Sequence, residues 1–551
     1  MVGWLWVLTD HANRAAVNSD GATVVLEAAS LLHGNLLLHG WWLSLDSWWT
    51  LDAAIFAAVI GVTGSHPALL LVVPAVVAGL VVVVGVVLAR RGRKGAAAWA
   101  GAALVVAVLA LPAHVLASQF LVGPWHQTTI LAALIAFVAL RRGRFGPGWL
   151  VAVVLLTAGM LGDLMMVAYA TAPVALGGLV AMLRRRSLRA GLAPLAAAAA
   201  ATVLAYTIRV AAAAAGAFEL GRTNPHAGVS EAVHNLREAA TLGIPGMFGA
   251  RSVVGLGSGG EGPVVRALHV IALLVAAAGF LWSLWSLLRA AVTGRVPTEA
   301  ADGAGGDGVV PAHRAGGTRR SGGDRGAGAD RSGADAEPWR IDDVLVIASF
   351  GSAATYVLLA LTPSPAYFRY LTATVVFSTV VAARMVTRWW AGRRPPAWRR
   401  AGLVVASVGL AGSLAGAGLQ LAHPSPTDPE PALVAFLRAH HLRRGVGGYW
   451  ASSITTVESS GTVTVRPVVS DGQGRLEGYY KGDVHAWFDG VDFQFVVFAG
   501  TGGFGGVNLA TAERTWGPPA KVYSVDDHAY TVLTWSRPIH VTRIEPRLAP
   551  N

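Results

Sequence analysis

Long apolar runs follow one another through most of this chain, and they constrain its fold more than any other feature. A helix needs about 20 apolar residues to cross the roughly 30 Å hydrocarbon layer of a bilayer. With 54% hydrophobic and only 13% charged residues, the sequence predicts a polytopic α-helical membrane protein of about ten or eleven spans. The runs at 128–140 and 148–162 are short for this purpose. The predicted spans are 67–89, 96–117, 128–140, 148–162, 164–183, 190–215, 264–288, 341–361, 371–390 and 401–422.

Basic residues cluster in every second connection between these runs. The formal net charge of +12 comes from 43 Lys and Arg against 31 Asp and Glu. Because the excess lies in short loops, it predicts membrane orientation rather than nucleic-acid binding. The positive-inside rule then makes these loops cytoplasmic in a bacterial plasma membrane. The basic segments are 90–94, 141–144, 184–189, 289–340 and 393–400.

The remaining connections share the opposite, extracytoplasmic side, and most candidate polar residues lie on them. Ten spans would leave both termini outside, yet no cleavable signal peptide is visible. We therefore expect that a first span is missing or truncated. The predicted organisation is a first outer loop with interfacial helices at 1–66, spans at 67–290 with an outer loop at 216–262, a disordered cytoplasmic linker at 291–340, further spans at 341–422, and an extracytoplasmic soluble α/β domain at 423–551.

The C-terminal region changes character. An amphipathic helix is predicted at 431–442, and strands are predicted at 462–469, 493–499, 521–525 and 530–536. The chain has no cysteine, so neither a disulfide nor a thiolate metal ligand supports this part.

The segment 18–52 is too polar to cross a bilayer and carries several carboxylates and tryptophans. Asp20 is predicted at the N-cap of a helix that runs to about Leu38, and Glu27 falls on the same helix face as Asp20. Asp46 and Asp52 follow, and Asp52 can start a helix at 53–63. Two interpretations stay open: a site at the water–lipid boundary, or an interfacial helix whose carboxylates are merely solvated.

Several short motifs along the chain carry a family resemblance. They are S-D-G-A-T at 19–23, G-N-L-L-L-H-G-W at 34–41, S-W-W-T-L-D at 47–52, His126 in G-P-W-H-Q-T-T, Gly162–Asp163, and Y-F-R-Y-L at 367–371. Together with the order of loop, spans and outer domain, they resemble the GT-C superfamily of integral-membrane glycosyltransferases that use polyprenyl-phosphate sugars. Protein O-mannosyltransferases and arabinosyltransferases belong to it, and the segment 445–452 resembles uncharacterised bacterial members. The chain departs from the family in its missing first span and in having no D-E pair at the acidic site.

The resemblance implies that Asp20 is the catalytic base or positions the acceptor. A carboxylate within hydrogen-bond reach can take the proton that an acceptor hydroxyl loses as it attacks the anomeric carbon. The leaving group would be a lipid phosphate, which a guanidinium can bind with two hydrogen bonds. Arg369 is the candidate, with Tyr367 beside it to hold the prenyl chain; the alternative for Arg369 is an interfacial residue that reaches toward water.

The other candidate residues each have a structural alternative. Asp163 either lines the donor or acceptor site or only caps a helix, and His126 either binds phosphate or sugar or is a plain interfacial histidine. Glu27 and Asp46 are candidates on the donor side. Tyr449 and Trp450, on a predicted tight turn, either bind acceptor or pack in a core. A divalent cation of Mg or Mn type could sit among Asp20, Asp46, Asp163 and His126, although an Arg–phosphate mechanism needs no metal.

The sequence thus predicts transfer of a sugar from a polyprenyl-phosphate donor to a glycan, protein or lipid acceptor of the cell envelope. No nucleic acid is expected as a partner. The first alternative is a transporter or lipid flippase, which would hold polar groups near the membrane midplane within repeats. The second is a non-catalytic envelope assembly protein with the C-terminal domain as its binding module.

Overall fold

A computed structural model describes residues 18–90, 92–221, 226–253, 263–293, 339–360, 365–391, 431–479, 481–500 and 502–541. Three expectations lie outside the described residues: the truncated first span, the span at 401–422, and nearly all of the linker at 291–340.

The chain is mostly helical. Its α-helices are α1 (Ser19–Leu32), α2 (Asp52–Thr63), α3 (Leu69–Arg90), α4 (Ala96–Val105), α5 (His114–Phe120), α6 (Gln127–Ala139), α7 (Pro147–Gly162), α8 (Ala172–Arg185), α9 (Leu192–Ala214), α10 (Val229–Glu238), α11 (Ile244–Met247), α12 (Pro263–Thr293), α13 (Ile341–Leu358), α14 (Thr372–Ala391), α15 (Ala432–Ala439), α16 (Tyr449–Glu458) and α17 (Leu509–Trp516).

Within the described residues, six helices are long and apolar enough to cross a membrane. The predicted run at 96–117 is a bent pair, Ala96–Ala110 and His114–Phe120, with 79° between its two parts, and it makes a seventh span if the pair is counted as one. The bend falls at Pro112, which cannot donate the backbone hydrogen bond that a continuous helix needs. The predicted runs at 128–140 and 148–162 form apolar helices, but these are shorter than the six that could cross a membrane. The six are Leu69–Arg90, Val167–Arg185, Leu192–Ala214, Arg266–Arg289, Ile341–Leu358 and Tyr367–Ala391.

Buried ion pairs join the basic ends of these helices. Arg184 at the end of α8 donates to Asp343 at 2.7 Å, and Arg384 in α14 donates to Asp342 at 2.6 Å. Arg388 also pairs with Asp342. Arg384 further donates to the carbonyl of Leu88 near the end of α3. The start of α13 therefore meets the ends of α3, α8 and α14 at one end of the helical bundle.

The first polar helix differs from its prediction. Asn18, rather than Asp20, is the N-cap of α1, because its side chain accepts a hydrogen bond from the amide of Gly21 at 2.9 Å. Asp20 lies in the first turn of the helix instead. The helix ends at Leu32 and not at Leu38, since Gly34 adopts a φ of +88° that breaks the helical path. The helix predicted at 53–63 is α2, but it begins at Asp52, and Leu51 rather than Asp52 occupies the N-cap position.

The C-terminal part forms a six-stranded sheet in the order β5-β4-β3-β7-β9-β8. The central strand β3 runs parallel to β4 and β7, while the other pairs are antiparallel. The four predicted strands are confirmed as β4, β7, β8 and β9, and the predicted helix is the shorter α15. The strands are β3 (Arg444–Gly447), β4 (Thr464–Ser470), β5 (Leu476–Gly478), β7 (Phe493–Ala499), β8 (Lys521–Val525) and β9 (Tyr530–Ile539).

A second sheet of three short strands joins distant parts of the chain. Strand β1 (Trp41–Leu43) lies between β2 (Glu219–Leu220) and β6 (Asp483–Val484). The Trp42 indole also donates to Glu219 at 2.8 Å. The segment after α1, the connection after α9 and the C-terminal domain are thereby held together on the side of the molecule where α1 lies.

Candidate active site

The carboxylate of Asp20 is the point at which four regions of the chain meet. Its Oδ1 accepts a hydrogen bond from the Tyr449 hydroxyl at 2.5 Å, and its Oδ2 accepts one from the Trp125 indole at 3.0 Å. Arg369 Nη1 lies 3.7 Å from the same Oδ2. The first turn of α1, the loop before α6, the start of α16 and the turn before α14 therefore converge on this carboxylate.

The Arg369 guanidinium is surrounded by aromatic rings. It lies on a 3₁₀ turn, Pro365–Leu371, and its central carbon is 5.4 Å from the ring centroid of Trp125, 5.7 Å from that of Tyr367 and 5.3 Å from that of Tyr370. The negative faces of these rings attract the cation. The Arg369 side chain is 19% exposed to solvent, so its hydrogen-bond donors can still reach a ligand. Rings on several sides and one carboxylate thus fix the position of a partly accessible cation.

Asp163 and His126 form a buried ion pair beside this group. Asp163 is the C-cap of α7, and His126 is the N-cap of α6 with a left-handed φ of +71°. His126 Nδ1 donates to Asp163 Oδ2 at 2.8 Å, and the Met165 amide donates to Asp163 Oδ1 at 2.8 Å. The Thr129 hydroxyl donates to Oδ2 as well. Asp163 is therefore more than a helix cap, because it orients the imidazole of His126.

Burial and charge act in opposite directions on this pair. Burial lowers the pKa of His126, but the charge and hydrogen bond of Asp163 raise it, and the net pKa lies above the ordinary value. Burial raises the pKa of Asp163. The charge of His126 and the hydrogen bonds from His126 and Thr129 outweigh this effect and lower the pKa below the ordinary value. Both shifts favour an imidazolium paired with a carboxylate.

Asp46 completes this second group and connects it to Arg369. Burial first, and then the charge of Asp163, raise the pKa of Asp46 to about 7, against the opposing charges of His126 and Arg369. The ligand atoms of Asp46, His126 and Asp163 all lie within 4.8 Å of one another. One imidazole nitrogen and two carboxylates suit a divalent cation such as Mn²⁺, so these three residues can hold one. Asp20, which was predicted as a fourth member, is instead bound to Trp125 and Tyr449.

Glu27 lies on α1 but not in this network. The side chain is fully buried, and within the described part of the chain neither carboxylate oxygen has a hydrogen-bond partner. Burial, and then the charge of Asp52, raise the pKa of Glu27 well above its ordinary value. Asp52 itself accepts a hydrogen bond from the Thr128 hydroxyl at 2.5 Å. The charge that acts on Glu27 is therefore that of Asp52, which repels an ionised Glu27, and not that of the donor-side residues.

The predicted turn at 445–452 is a strand that leads directly into a helix. Strand β3 ends at Gly447, Gly448 caps α16, and Tyr449 is its first residue. Burial, and then the charge of Asp20, raise the pKa of Tyr449 well above its ordinary value, so the hydroxyl stays a donor. Trp450 follows with 41% of its surface exposed. Tyr449 belongs to the Asp20 network, whereas Trp450 lies beside it as an accessible ring.

Trp125 and Lys481 also belong to the site, although neither was among the predicted residues. Trp125 contacts both Asp20 and Arg369, and only its position next to His126 could have indicated this. Lys481 is partly buried. Burial lowers its pKa below the ordinary value, although the charges of Asp46 and Asp20 act in the opposite direction. The amide of the next residue, Gly482, donates to the Trp42 carbonyl at 2.6 Å. Nothing local in the sequence indicates that this strand pairing brings Lys481 toward the site.

A comparison of the chain with models of known protein families finds no match, and a comparison with curated proteins finds none either.

Proposed function

We propose that the protein is a membrane glycosyltransferase of the GT-C type, which transfers a sugar from a polyprenyl-phosphate donor to an acceptor of the cell envelope. The observation that carries the proposal is the 3.7 Å separation of Asp20 and Arg369. A carboxylate and an aromatic-lined guanidinium lie together, although more than 300 positions separate them in the sequence. This pairing brings a group that can accept a proton and a group that can bind phosphate next to each other.

The proposed reaction assigns a role to each of the two groups. The acceptor hydroxyl transfers its proton to Asp20 as its oxygen bonds to the anomeric carbon. The bond between that carbon and the phosphate oxygen breaks, and its electron pair leaves with the phosphate. Arg369 binds the phosphate through charge-assisted hydrogen bonds and stabilises the added charge. Tyr449 and Trp125 hold the Asp20 carboxylate in place when the phosphate draws Arg369 away from it.

A second group of residues lies beside the same site. The His126–Asp163 pair and Asp46 lie near Arg369, where a protonated imidazole can donate to a phosphate or sugar oxygen. We also propose that Asp46, Asp163 and a neutral His126 can hold a divalent cation, which would take the place of the imidazole proton. A bound cation would supply positive charge near the leaving phosphate.

We propose a multi-pass location in a bacterial plasma membrane, with the site and the C-terminal domain on the extracytoplasmic side. The support is the separation of charge within the bundle. Arg184, Arg384 and Arg388 gather at one end of the helices. The candidate site lies elsewhere: Asp20 is in the first turn of α1, Asp163 is the C-cap of α7, and Arg369 is in the turn before α14. The positive-inside rule assigns the first end to the cytoplasm.

The two alternatives predict different placements of the polar residues. A transporter or flippase would place its polar groups near the middle of long spans. The carboxylates here occupy a helix first turn, a helix cap and a loop. A non-catalytic assembly protein would not require Tyr449 of the C-terminal domain to bond Asp20, which makes the enzyme the better supported proposal.

The experiment is a sugar-transfer assay in proteoliposomes supplied with labelled polyprenyl-phosphate sugars and cell-envelope acceptors. Wild type should transfer label, and Asp20→Asn should lose transfer while keeping its abundance and folding. Asp489→Asn is the matched control, because Asp489 is an exposed carboxylate of the C-terminal domain. Absence of transfer from every donor tested with wild type would contradict the proposal.

A further inference from the structure

The exposed surface of helix α10 divides into two flanks of different chemistry. Val229, Val233 and Leu236 are spaced four and three residues apart, so they form one stripe along the helix. Their exposed fractions are 86%, 62% and 57%. Ser230 and His234 lie on the neighbouring exposed flank. The helix therefore presents an aliphatic stripe beside a polar one.

The third face of α10 is fixed to the end of a candidate membrane span. Asn235 is buried, and its side-chain amide donates to the carbonyls of Val357 and Leu359 at 3.3 and 3.1 Å. Glu238 accepts a hydrogen bond from the Tyr356 hydroxyl at 2.7 Å. Just ahead of the helix, the amide of Ala227 donates to Leu358 at 2.9 Å. These bonds hold α10 at the last turn of α13, where a candidate membrane span ends.

The segment after α10 packs next to Arg369. A Cβ at Gly243 would lie 2.7 Å from the Leu371 side chain and 3.2 Å from the Phe368 ring. Phe368 and Leu371 are fully buried, and they flank Arg369 in the sequence. The connection between α10 and the turn that carries Arg369 is therefore short and closely packed.

From these three observations we infer that α10 is a membrane-surface helix whose Val229–Val233–Leu236 stripe lies in the lipid bilayer beside the Arg369 turn. A helix with one apolar flank and one polar flank has its lowest free energy at the lipid–water boundary, where the apolar flank enters the acyl region and the polar flank stays hydrated. The packed face explains why the helix sits at this depth, since its bonds to α13 fix its level. The inference concerns lipid contact, and it holds or fails independently of sugar transfer.

Site-directed labelling tests this inference cleanly because the chain has no cysteine. Val233→Cys and His234→Cys in the full chain are each labelled with an environment-sensitive fluorophore and reconstituted in phosphatidylcholine–phosphatidylglycerol nanodiscs. The Val233 label should lose most of its emission to doxyl-labelled lipid and little to aqueous iodide. The His234 label on the polar flank is the matched control and should show the reverse.

A Val233 label that iodide quenches as well as it quenches the His234 label would overturn the inference. Protection of the Val233 label from both quenchers would overturn it too, because protein rather than lipid would then cover the stripe. Val229→Cys provides a second probe of the same stripe at a position that is 86% exposed, where the substitution leaves the packed face intact.

Discussion

The Tyr449 hydroxyl lies 2.5 Å from the Asp20 carboxylate, although 429 positions separate the two residues in the chain. A residue of the C-terminal domain thus completes the hydrogen bonding of a carboxylate at the start of the helical region. The neighbouring contact between Thr23 and Ser453 at 3.2 Å repeats this connection one turn further along α1 and α16. The C-terminal domain is therefore part of the candidate site and not a separate appendage.

Removing this hydrogen bond should lower sugar transfer without unfolding the protein. Tyr449→Phe keeps the ring but leaves one oxygen of Asp20 without its donor, and a hydrogen bond to a charged group contributes about 1.5–3 kcal/mol. A loss of about 10- to 100-fold in turnover is expected. The measurement is kcat for sugar transfer. Tyr523→Phe in the same domain is the control and should keep full activity.

Breaking the buried ion pair should cost stability as well as activity. Asp163→Asn removes the counter-charge of His126, and both side chains are almost fully buried, with 1% and 3% exposure. Removing one partner of a buried pair typically destabilises a protein by about 3–5 kcal/mol. Thermal unfolding in nanodiscs should show a clear decrease in Tm. An unchanged Tm would mean that this pair does not hold α6 against α7.

Glu27 should make the stability of the protein depend on pH. Its pKa in the folded protein is raised well above the ordinary 4.5 by burial and by Asp52, so the folded state binds a proton that the unfolded state releases. Stability from this group is therefore present below the ordinary pKa and is lost as the pH rises toward the folded pKa, at up to about 1.4 kcal/mol per pH unit.

Glu27→Gln removes this dependence while keeping the shape of the side chain. The variant should gain in Tm over wild type as the pH increases from 5 to 8, the range above the ordinary pKa. Sugar transfer at a temperature well below both unfolding transitions should change little. Parallel Tm curves for the two proteins over this range would show that Glu27 does not titrate on unfolding.

The proposed cation site gives a prediction that needs no substrate. Mn²⁺ should bind the wild-type protein with an altered electron paramagnetic resonance spectrum, because Asp46, His126 and Asp163 would replace water in its coordination shell. Asp46→Asn should abolish the altered spectrum, whereas Asp489→Asn should retain it. Identical spectra for wild type and Asp46→Asn would exclude Asp46 as a ligand.

Which parts of this site could be predicted depended on whether the signal was local in the sequence. Runs of apolar residues predicted most of the helices. Strand-like runs separated by turn residues predicted β4, β7, β8 and β9. The family resemblance, together with a place on the connections opposite the basic loops, made Asp20, Asp163, His126 and Arg369 candidates for one site. Apolar runs and basic loops depend on polarity alone, which can be recognised without knowing the fold.

The features that were wrong or missed depend on tertiary contacts. Asn18 rather than Asp20 is the N-cap, and the sequence did not decide between them because both residue types cap helices well. Strand β3 went unpredicted because its R-G-V-G sequence has little strand propensity, and its parallel pairing with β4 and β7 forms it instead. Lys481 approaches the site only because β6 pairs with β1.

The central claim is that Asp20 and Arg369 serve one prenyl-linked sugar, and steady-state transfer by two variants tests it most directly. Asp20→Asn should reduce kcat by about 10²- to 10⁴-fold with little change in donor binding, because it removes only the proton acceptor. Arg369→Gln should weaken binding of the polyprenyl-phosphate donor and also reduce kcat, since the phosphate loses its cation in the transition state. Both variants transferring sugar at the wild-type rate would contradict the account.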